Sequence, residues 1–256
     1  MRNAAAMLIA ATLALCAHAA EMENLVLGLL MEDAGSPEDI SDNPTAMTVN
    51  GVLASTAGRF GRAIDFDGNN SNLIEIEHAD KLAGLEAFTI TAWFKCEGVG
   101  ELEGMSIISK RIGHQNGDAF NIFLWGGGKI HARVNGKGQV IGPTVIENGR
   151  WYHLAYLFDA NGGDMATRLL LDGQEEGSNL HGDPMTNADE SPIWIGELDA
   201  NRGFAWKGAL DEITIWNVVL EEAEIADLAE SGLRQFLSVD PRGRLALSWG
   251  RLKSRL

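Results

Sequence analysis

The chain has 256 residues, 45% of them hydrophobic, which is enough for one large all-β domain or two small ones with a real core. This composition excludes an intrinsically disordered chain. The formal net charge of −16 argues against nucleic acid and against anionic membrane surfaces as partners, since both need basic patches. Neutral ligands and cations fit the charge better.

The first 20 residues differ in composition from the rest of the chain. Arg2 precedes a short apolar run, and Ala17 and Ala19 form an Ala-x-Ala ending before Glu21. This pattern predicts a secretory signal peptide over residues 1–20, too short to span a membrane. The alternative is a lipoprotein signal with Cys16 lipidated, although Leu15 fits poorly beside such a cysteine. The signal peptide predicts a secreted protein, extracellular or periplasmic.

Removal of the signal would leave Cys96 as the only cysteine. No intrachain disulfide is then possible, even in an oxidising compartment. Packing must supply the stability, with a bound metal as a further candidate.

The mature chain is rich in short alternating or apolar runs separated by Gly, Asn and Asp turns, a pattern typical of strands. Ten or so strands at this spacing predict a two-sheet sandwich or a barrel. The runs are AIDFDG, NLIEIEH, AFTITAWFK, MSIISK, AFNIFLW, KIHARVNG, WYHLAYLFD, TRLLLDGQ, SPIWIGELD and ALDEITIWN.

One late strand carries two acids. In the run GALDEITIWNVVL, a period of two would place Asp211 on the same face as Ile213 and Ile215 and would place Glu212 on the other face. A lone carboxylate among apolar neighbours costs several kcal/mol or gives up its charge, unless a cation or several donors compensate it.

A helix is predicted in one place, residues 220–232, where acids occupy the first turn and Gly232 ends the pattern. The simplest partition is one domain over residues 24–236, followed by a tail over 237–256. The end of this tail, PRGRLALSWGRLKSRL, carries five Arg or Lys and no acid. A solvated tail or last strand and a docking or sorting signal are both compatible with it.

The order of several motifs resembles the LamG-like jelly-roll domains of the concanavalin A-like lectin/glucanase group. The blocks are GRFGRAIDFDGNNSNLIEIEHAD, FTITAWFK, IISK, WYHLAYLFD, LLLDGQ, WIGE and WKGALDEITIWNVVLEEAEI. The resemblance covers residues 24–232 and implies an all-β, two-sheet antiparallel sandwich with one short C-terminal helix, in a secreted binding module.

The resemblance also implies a calcium site. In these domains the acid that opens the late strand often lies beside the turn after the FDG block, which corresponds here to Asp211 and Asp67, with Asn70 and Asn72 in the turn. Calcium takes six to eight oxygen ligands from carboxylates, amides, carbonyls and water. Asn72 replaces an acid found in many relatives and supplies an oxygen without a charge. The alternative is that Asp211 caps backbone N–H groups of a neighbouring turn and binds no metal.

A catalytic function is the alternative, because laminarinase-type glycoside hydrolases share this fold. Glu75 and Glu77, with Asp80 further on, superficially resemble the hydrolase motif and could share one strand face, although the acid types are inverted. A retaining mechanism needs two carboxyl groups about 5–5.5 Å apart, one of them protonated. Spacing along a strand does not establish this, and no nucleophile elbow, zinc spacing or phosphate loop accompanies it. His153 is expected to pack in the sheet.

The runs AFNIFLW and KIHARVN predict a ligand-binding surface. A hairpin through the glycines at 126–128 would send one set of apolar residues to the core and another set to the opposite face. The core set is Ile122, Leu124, Ile130, Ala132 and Val134, and the opposite set is Asn121, Phe123, Trp125, His131 and Arg133. Aromatic faces beside donors suit a sugar ring. The alternative is that loops or the N-terminal segment cover this face and the aromatics only pack.

The sequence therefore predicts a secreted, calcium-stabilised, non-catalytic module that binds carbohydrate or an extracellular protein. The alternative is a secreted glycoside hydrolase that uses Glu75 and Glu77.

Overall fold

The computed structural model describes residues 22–111, 118–180, 190–198 and 203–238. The predicted signal peptide and almost all of the predicted basic tail lie outside these residues. The described chain forms two antiparallel sheets packed face to face, which confirms the predicted jelly-roll sandwich.

The sheets contain fifteen strands in the described residues. In chain order they are β1 Leu25–Leu29, β2 Met47–Asn50, β3 Ala54–Ala57, β4 Arg62–Asp67, β5 Leu73–Ile76, β6 Ala87–Cys96, β7 Gly104–Arg111, β8 Asp118–Trp125, β9 Lys129–Val134, β10 Lys137–Val145, β11 Trp151–Asp159, β12 Thr167–Leu171, β13 Gln174–Asn179, β14 Ile193–Ile195 and β15 Lys207–Trp216. Short 3-10 turns occur at Met22–Asn24, Asp80–Leu82 and Gly163–Met165.

The first sheet, sheet A, has the order β13-β12-β11-β6-β15-β4-β3, and β1 pairs with β15. The second sheet, sheet B, has the order β10-β9-β8-β7-β14-β5-β2. At one edge, side chains of β13 join the two sheets. Glu176 accepts hydrogen bonds from the backbone N–H and the hydroxyl of Thr144 in β10, at 3.0 and 2.8 Å.

The main core fills the space between the sheets. Alternating residues of both inner faces build it, as period-two strands require. Its largest fully buried members include Phe66, Phe88, Phe94, Tyr156 and Trp206. Within it, Phe94 stacks on Tyr152 with ring centroids 5.5 Å apart.

The outer face of sheet A is covered in part by two helices rather than the single helix predicted. The helix α1 spans Glu222–Ser231, inside the predicted range, and α2 spans Leu233–Ser238. Glu221 and Glu224 form a capping box at the start of α1, and Gly232 ends it with φ 78°. The prediction of one helix was wrong because the chain resumes a helical turn immediately after this glycine.

The helices pack on their own apolar cluster, separate from the main core. Leu228 of α1 and Phe236 of α2 join Trp216 of β15 in this cluster. The Trp216 and Phe236 rings meet edge to face at 5.8 Å.

A β-bulge in β15 changes the faces that its residues occupy. Asp211 pairs with Trp93 and Thr214 pairs with Thr91, so β15 carries one more residue than β6 between these pairs. Glu212, with φ 45°, lies in the bulge. Leu210 and Ile213 both belong to the main core. The prediction that Asp211 shares the face of Ile213 was therefore wrong, because it assumed an uninterrupted strand.

Candidate functional site

The predicted β8–β9 hairpin is confirmed. Phe123 pairs with His131, and Asn121 pairs with Arg133. The five apolar residues predicted for the core all belong to the main core: Ile122, Leu124, Ile130, Ala132 and Val134. The five predicted ligand-binding residues therefore lie on the opposite, outer face of sheet B.

Most of this outer face is packed. Phe123 is 2% exposed and His131 is 8% exposed, and the two rings stack at 5.3 Å. Phe204 covers them from the segment before β15, and its ring meets Phe123 edge to face at 5.9 Å. Asn121 is fully buried. For these residues the geometry matches the alternative in which a loop covers the aromatics.

Trp125 differs from its neighbours because 42% of it is exposed. Its ring is supported by His131 at 5.9 Å and by Phe204 at 6.4 Å. Supporting rings on two sides restrict the rotamers of the indole, so an exposed aromatic surface is held in one position.

The histidine beneath Trp125 is neutral near pH 7. Burial lowers the pKa of His131, and the positive charges of Arg133 and Lys129 lower it further. Gln139 lies 2.6 Å from Nδ1 of His131. The Arg133 guanidinium lies 5.3 Å from the centroid of the Phe123 ring, in a cation–π contact.

A shallow cleft of about 400 Å³ adjoins Trp125. One wall is the β8–β9 turn at Gly126 and Gly127, and the other is the segment from Gly100 to Glu103. Glu101 and Glu103 are exposed, and Glu101 forms an ion pair with Lys207. The cleft thus combines an exposed indole with carboxylate acceptors. We refer to Trp125 and this cleft as the hairpin site.

The predicted calcium ligands are divided between two places. Asp67, Asn70 and Asn72 share the turn between β4 and β5. Oδ1 of Asp67 accepts hydrogen bonds from the Asn69 N–H and from Nδ2 of Asn72, both at 2.9 Å. The side-chain oxygen of Asn72 accepts from the N–H of Val52 at 3.0 Å.

Asp211 lies away from this turn. The partner of Asp67 in β15 is Lys207, so four residues separate that pairing from Asp211, roughly 13 Å at about 3.3 Å per residue. The residues as placed do not fit a single ion shared by Asp67 and Asp211. Among the described residues, no group of three or more His, Cys, Asp or Glu side chains is arranged to hold a metal ion.

Asp211 instead caps the β3–β4 turn, as the alternative to a calcium site predicts. Its Oδ2 accepts hydrogen bonds from the backbone N–H groups of Arg59 and Phe60, at 2.8 and 3.0 Å. Its Oδ1 is buried without a hydrogen-bond partner among the described residues. Burial raises the pKa of Asp211 to about 7, against the two hydrogen bonds and with added repulsion from Glu212.

The two acids of the hydrolase alternative have different surroundings. Glu75 is half-buried in β5 and accepts a 3.1 Å hydrogen bond from the indole of Trp194. Glu77 follows the end of β5 and is exposed. Neither acid lines the hairpin site or the cavity described next.

A larger cavity, of about 530 Å³, lies on the outer face of sheet A beside α1. Sequence reasoning did not identify it as a site. Trp93 of β6 and His153 of β11 form its floor, Trp151 and Arg59 lie at its sides, and α1 faces it from above. The alternation in β11, which puts Trp151 and His153 on one strand face, is the only part of this site that the sequence indicates. The helix that closes the cavity is remote in sequence. We refer to this space as the helix-side cavity.

Comparison with known proteins identifies the family. Residues 66–226 match the model of the concanavalin A-like lectin/glucanases superfamily, over more than half of the chain. The chain belongs to this superfamily.

Three known proteins illustrate the similarity. Neuronal pentraxin-2 of Cavia porcellus is 25% identical over 174 residues, which are 62% of this chain and 38% of the pentraxin. The chain thus spans well under half the length of this relative. The ligand-binding domain of botulinum neurotoxin serotype D, solved with N-acetylneuraminic acid, superposes with a TM-score of 0.66 at 12% identity, over 83% of this chain and 52% of that one. Domain 4 of AbnA, an extracellular GH43 arabinanase of Geobacillus stearothermophilus solved with arabinotriose, gives a TM-score of 0.61 at 19% identity, over 80% and 98%.

At these identities the solved structures show the shared jelly-roll fold. In addition, no helix among the described residues is long and apolar enough to cross a membrane.

Proposed function

We propose that this protein is a non-catalytic binding module that recognises carbohydrate through the hairpin site. The observation that carries the proposal is the exposed indole of Trp125, 42% exposed although rings support it on two sides. A large aromatic surface held open to solvent is unusual for a residue whose neighbours are buried.

The chemistry beside Trp125 suits a sugar. A pyranose or furanose ring has an apolar C–H face that packs on an indole, and its hydroxyl groups donate to carboxylates. Glu103 and Glu101 border the same cleft and are exposed acceptors. Two fold neighbours were solved with saccharides, arabinotriose and N-acetylneuraminic acid.

The other predicted members of the surface support Trp125 in this proposal. Phe123 and His131 form the layer beneath the indole, and Arg133 lies against Phe123. Asn121 is fully buried in the neighbouring position of β8. In this proposal these four residues hold the indole of Trp125 in place, and Trp125 contacts the ligand.

An extracellular protein is the second class of partner for the same site, since an exposed tryptophan is also a typical anchor of protein interfaces. Secretion is part of the proposal and agrees with the extracellular location stated for the arabinanase neighbour. Calcium stabilisation stays a prediction for the Asp67 turn and is tested below.

The test is retention of the full chain on a glycan array that includes arabinan, β-glucan and sialylated oligosaccharides. We expect Trp125→Ala to weaken retention at least about tenfold, or roughly 1.4 kcal/mol. Met165→Ala is the matched control, because Met165 is 48% exposed and lies in the turn before β12 of sheet A. Both variants should unfold within about 0.5 kcal/mol of the parent chain.

Unchanged retention of Trp125→Ala on the array would contradict the hairpin site. A loss of several kcal/mol in unfolding free energy would assign Trp125 to packing instead. Conversion of β-glucan or arabinan that disappears in Glu75→Gln would establish the hydrolase alternative.

A further inference from the structure

The helix-side cavity is lined by a largely buried imidazole that forms no side-chain hydrogen bond within the described residues. His153 is 3% exposed, and what remains exposed faces the cavity that it lines. Its backbone N–H donates to Asp172 at 2.9 Å, but within the described residues its ring forms no hydrogen bond. Among the described residues nothing competes for its ring nitrogens, so they can bond to solvent or to a ligand that enters the cavity.

The imidazole is neutral. Burial lowers the pKa of His153 to about 3, far below the usual value for histidine. A neutral imidazole offers one N–H donor and one nitrogen acceptor. A hydroxyl group, which both donates and accepts, can use both nitrogens, whereas an anion can use only the N–H and a cation only the unprotonated nitrogen.

The floor of the cavity is formed by aromatic residues, and the wall on α1 is formed by residues with small side chains. Trp93 lies beside His153 with ring centroids 5.2 Å apart, and Trp151 follows on the same strand face. The opposite wall is made by Ala226 and Ala229 of α1. These alanines leave open a space that larger side chains would fill, while Ile225 and Leu228 pack the rest of the helix against the sheet.

The rim carries charges of both signs, Arg59 together with Asp172 and Glu230, which favours a ligand without net charge. The Arg59 guanidinium lies 4.8 Å from the centroid of the Trp93 ring in a cation–π contact, so a cationic ligand would meet its positive charge there. Asp172 is engaged by Arg150 at 3.0 Å. The volume of about 530 Å³ is within the range of small-molecule sites.

We propose that the helix-side cavity is a second ligand site, distinct from the hairpin site, that takes a neutral saccharide ring whose hydroxyl hydrogen-bonds to His153. The apolar face of the ring packs on the indoles of Trp93 and Trp151. The two sites lie on different sheets, so this proposal does not depend on binding at Trp125.

The experiment follows the imidazole Cε1–H resonance of His153 by NMR in the full chain with labelled histidine. The probes are arabinose, galactose, glucose and their disaccharides, with choline and acetate as charged comparisons. We expect at least one neutral sugar to shift this resonance saturably and the charged probes to leave it unchanged. His153→Gln assigns the resonance.

Two helix variants provide the matched pair. Ala226→Leu places a larger side chain in the cavity and should weaken sugar binding at least about tenfold. Ala223→Leu makes the same change at another exposed alanine of α1, one that does not line the cavity, and should bind as the parent does. Trp125→Ala should also leave this resonance shift intact, which separates the cavity from the hairpin site.

The proposal is wrong if no neutral sugar shifts the resonance, if choline or acetate shifts it instead, or if Ala226→Leu binds as well as Ala223→Leu. Each result would leave the cavity as a packing defect or as the site of another ligand class.

Discussion

The side chain of Glu212 holds the junction of the two helices, because its Oε2 accepts a 2.8 Å hydrogen bond from the backbone N–H of Leu233. Leu233 is the first residue of α2, so this N–H has no partner within its own helix. The bulge in β15 directs Glu212 toward the helices while Asp211 caps the turn at Arg59 and Phe60. Adjacent acids thus fix two different segments to the outer face of sheet A.

Removal of the Glu212 acceptor should destabilise the protein. Glu212→Ala leaves the Leu233 N–H buried without a partner, and we expect a loss of about 1–3 kcal/mol in the free energy of unfolding. Glu212→Gln keeps an acceptor oxygen and should cost less. Urea denaturation at pH 7 measures both variants. Equal midpoints for the two variants would contradict a capping role.

The protonation of Asp211 should make the stability depend on pH. Because its pKa rises from 3.8 to about 7 on folding, the folded protein binds an extra proton between these values. The stabilising contribution is present below pH 3.8 and is lost as the pH rises through about 7. Asp211→Asn keeps the acceptor for Arg59 and Phe60 and removes the charge. Its stability relative to the parent should therefore rise by about 2 kcal/mol between pH 5 and pH 8.

The difference between variant and parent is the useful quantity here, because His153 acts in the opposite direction. Its pKa falls from 6.5 to about 3 on folding, so its contribution is present above 6.5 and is lost as the pH falls toward 3. Urea denaturation at both pH values measures the difference, with Asp164→Asn at an exposed position as the control. A difference that does not change with pH would contradict a raised pKa for Asp211.

The sandwich could be predicted from the sequence because most of its strands show alternating apolar and polar residues or a short apolar run. The β8–β9 hairpin is an example, since the glycines at 126–128 and the alternation around them fixed which residues enter the core. The strands that were missed are short or polar. β2 and β3 have four residues each, and no residue in either is buried. β1 carries Gly28 within an apolar run, and β10 carries two glycines and a proline.

The candidate sites were harder to predict, because they depend on contacts between distant segments. One inserted residue at Glu212 reversed the expected face of Asp211, and nothing in the local pattern marks a bulge there. The cover over Phe123 comes from Phe204, which lies about eighty positions away in the chain. The helix-side cavity likewise needs β6, β11 and α1 to meet. The periodicity of apolar residues within one segment does not show which distant segments contact it in the fold.

Variants of Asp67 and Asp211 can show which of the two acids, if either, makes the thermal stability depend on calcium. If the Asp67 turn binds calcium, added calcium should raise the melting temperature of the parent chain by mass action, and a chelator should reverse the effect. Asp67→Asn should abolish the response, whereas Asp211→Asn should retain it, because the two residues lie in separate places. Differential scanning calorimetry with and without calcium measures both variants. A parent chain whose unfolding ignores calcium and chelator would contradict calcium stabilisation.

The aromatic layer beneath Trp125 depends on a glycine in β7. A Cβ at Gly104 would lie 2.0 Å from Cδ1 of the Phe204 ring, so Gly104→Ala should displace Phe204. The backbone N–H of Ser106 donates to the Phe204 carbonyl oxygen at 2.7 Å, which limits how far this segment can move. We expect a loss of about 1–3 kcal/mol in unfolding free energy from the overpacking. Glycan retention should also weaken, because Trp125 loses the support of Phe204. Gly203→Ala is the control, since in the described part of the chain no atom except those of its chain neighbours lies within 4 Å of a Cβ placed there. Urea denaturation and the glycan array together test the prediction, and a Gly104→Ala variant as stable as Gly203→Ala would show that Phe204 does not cover the hairpin.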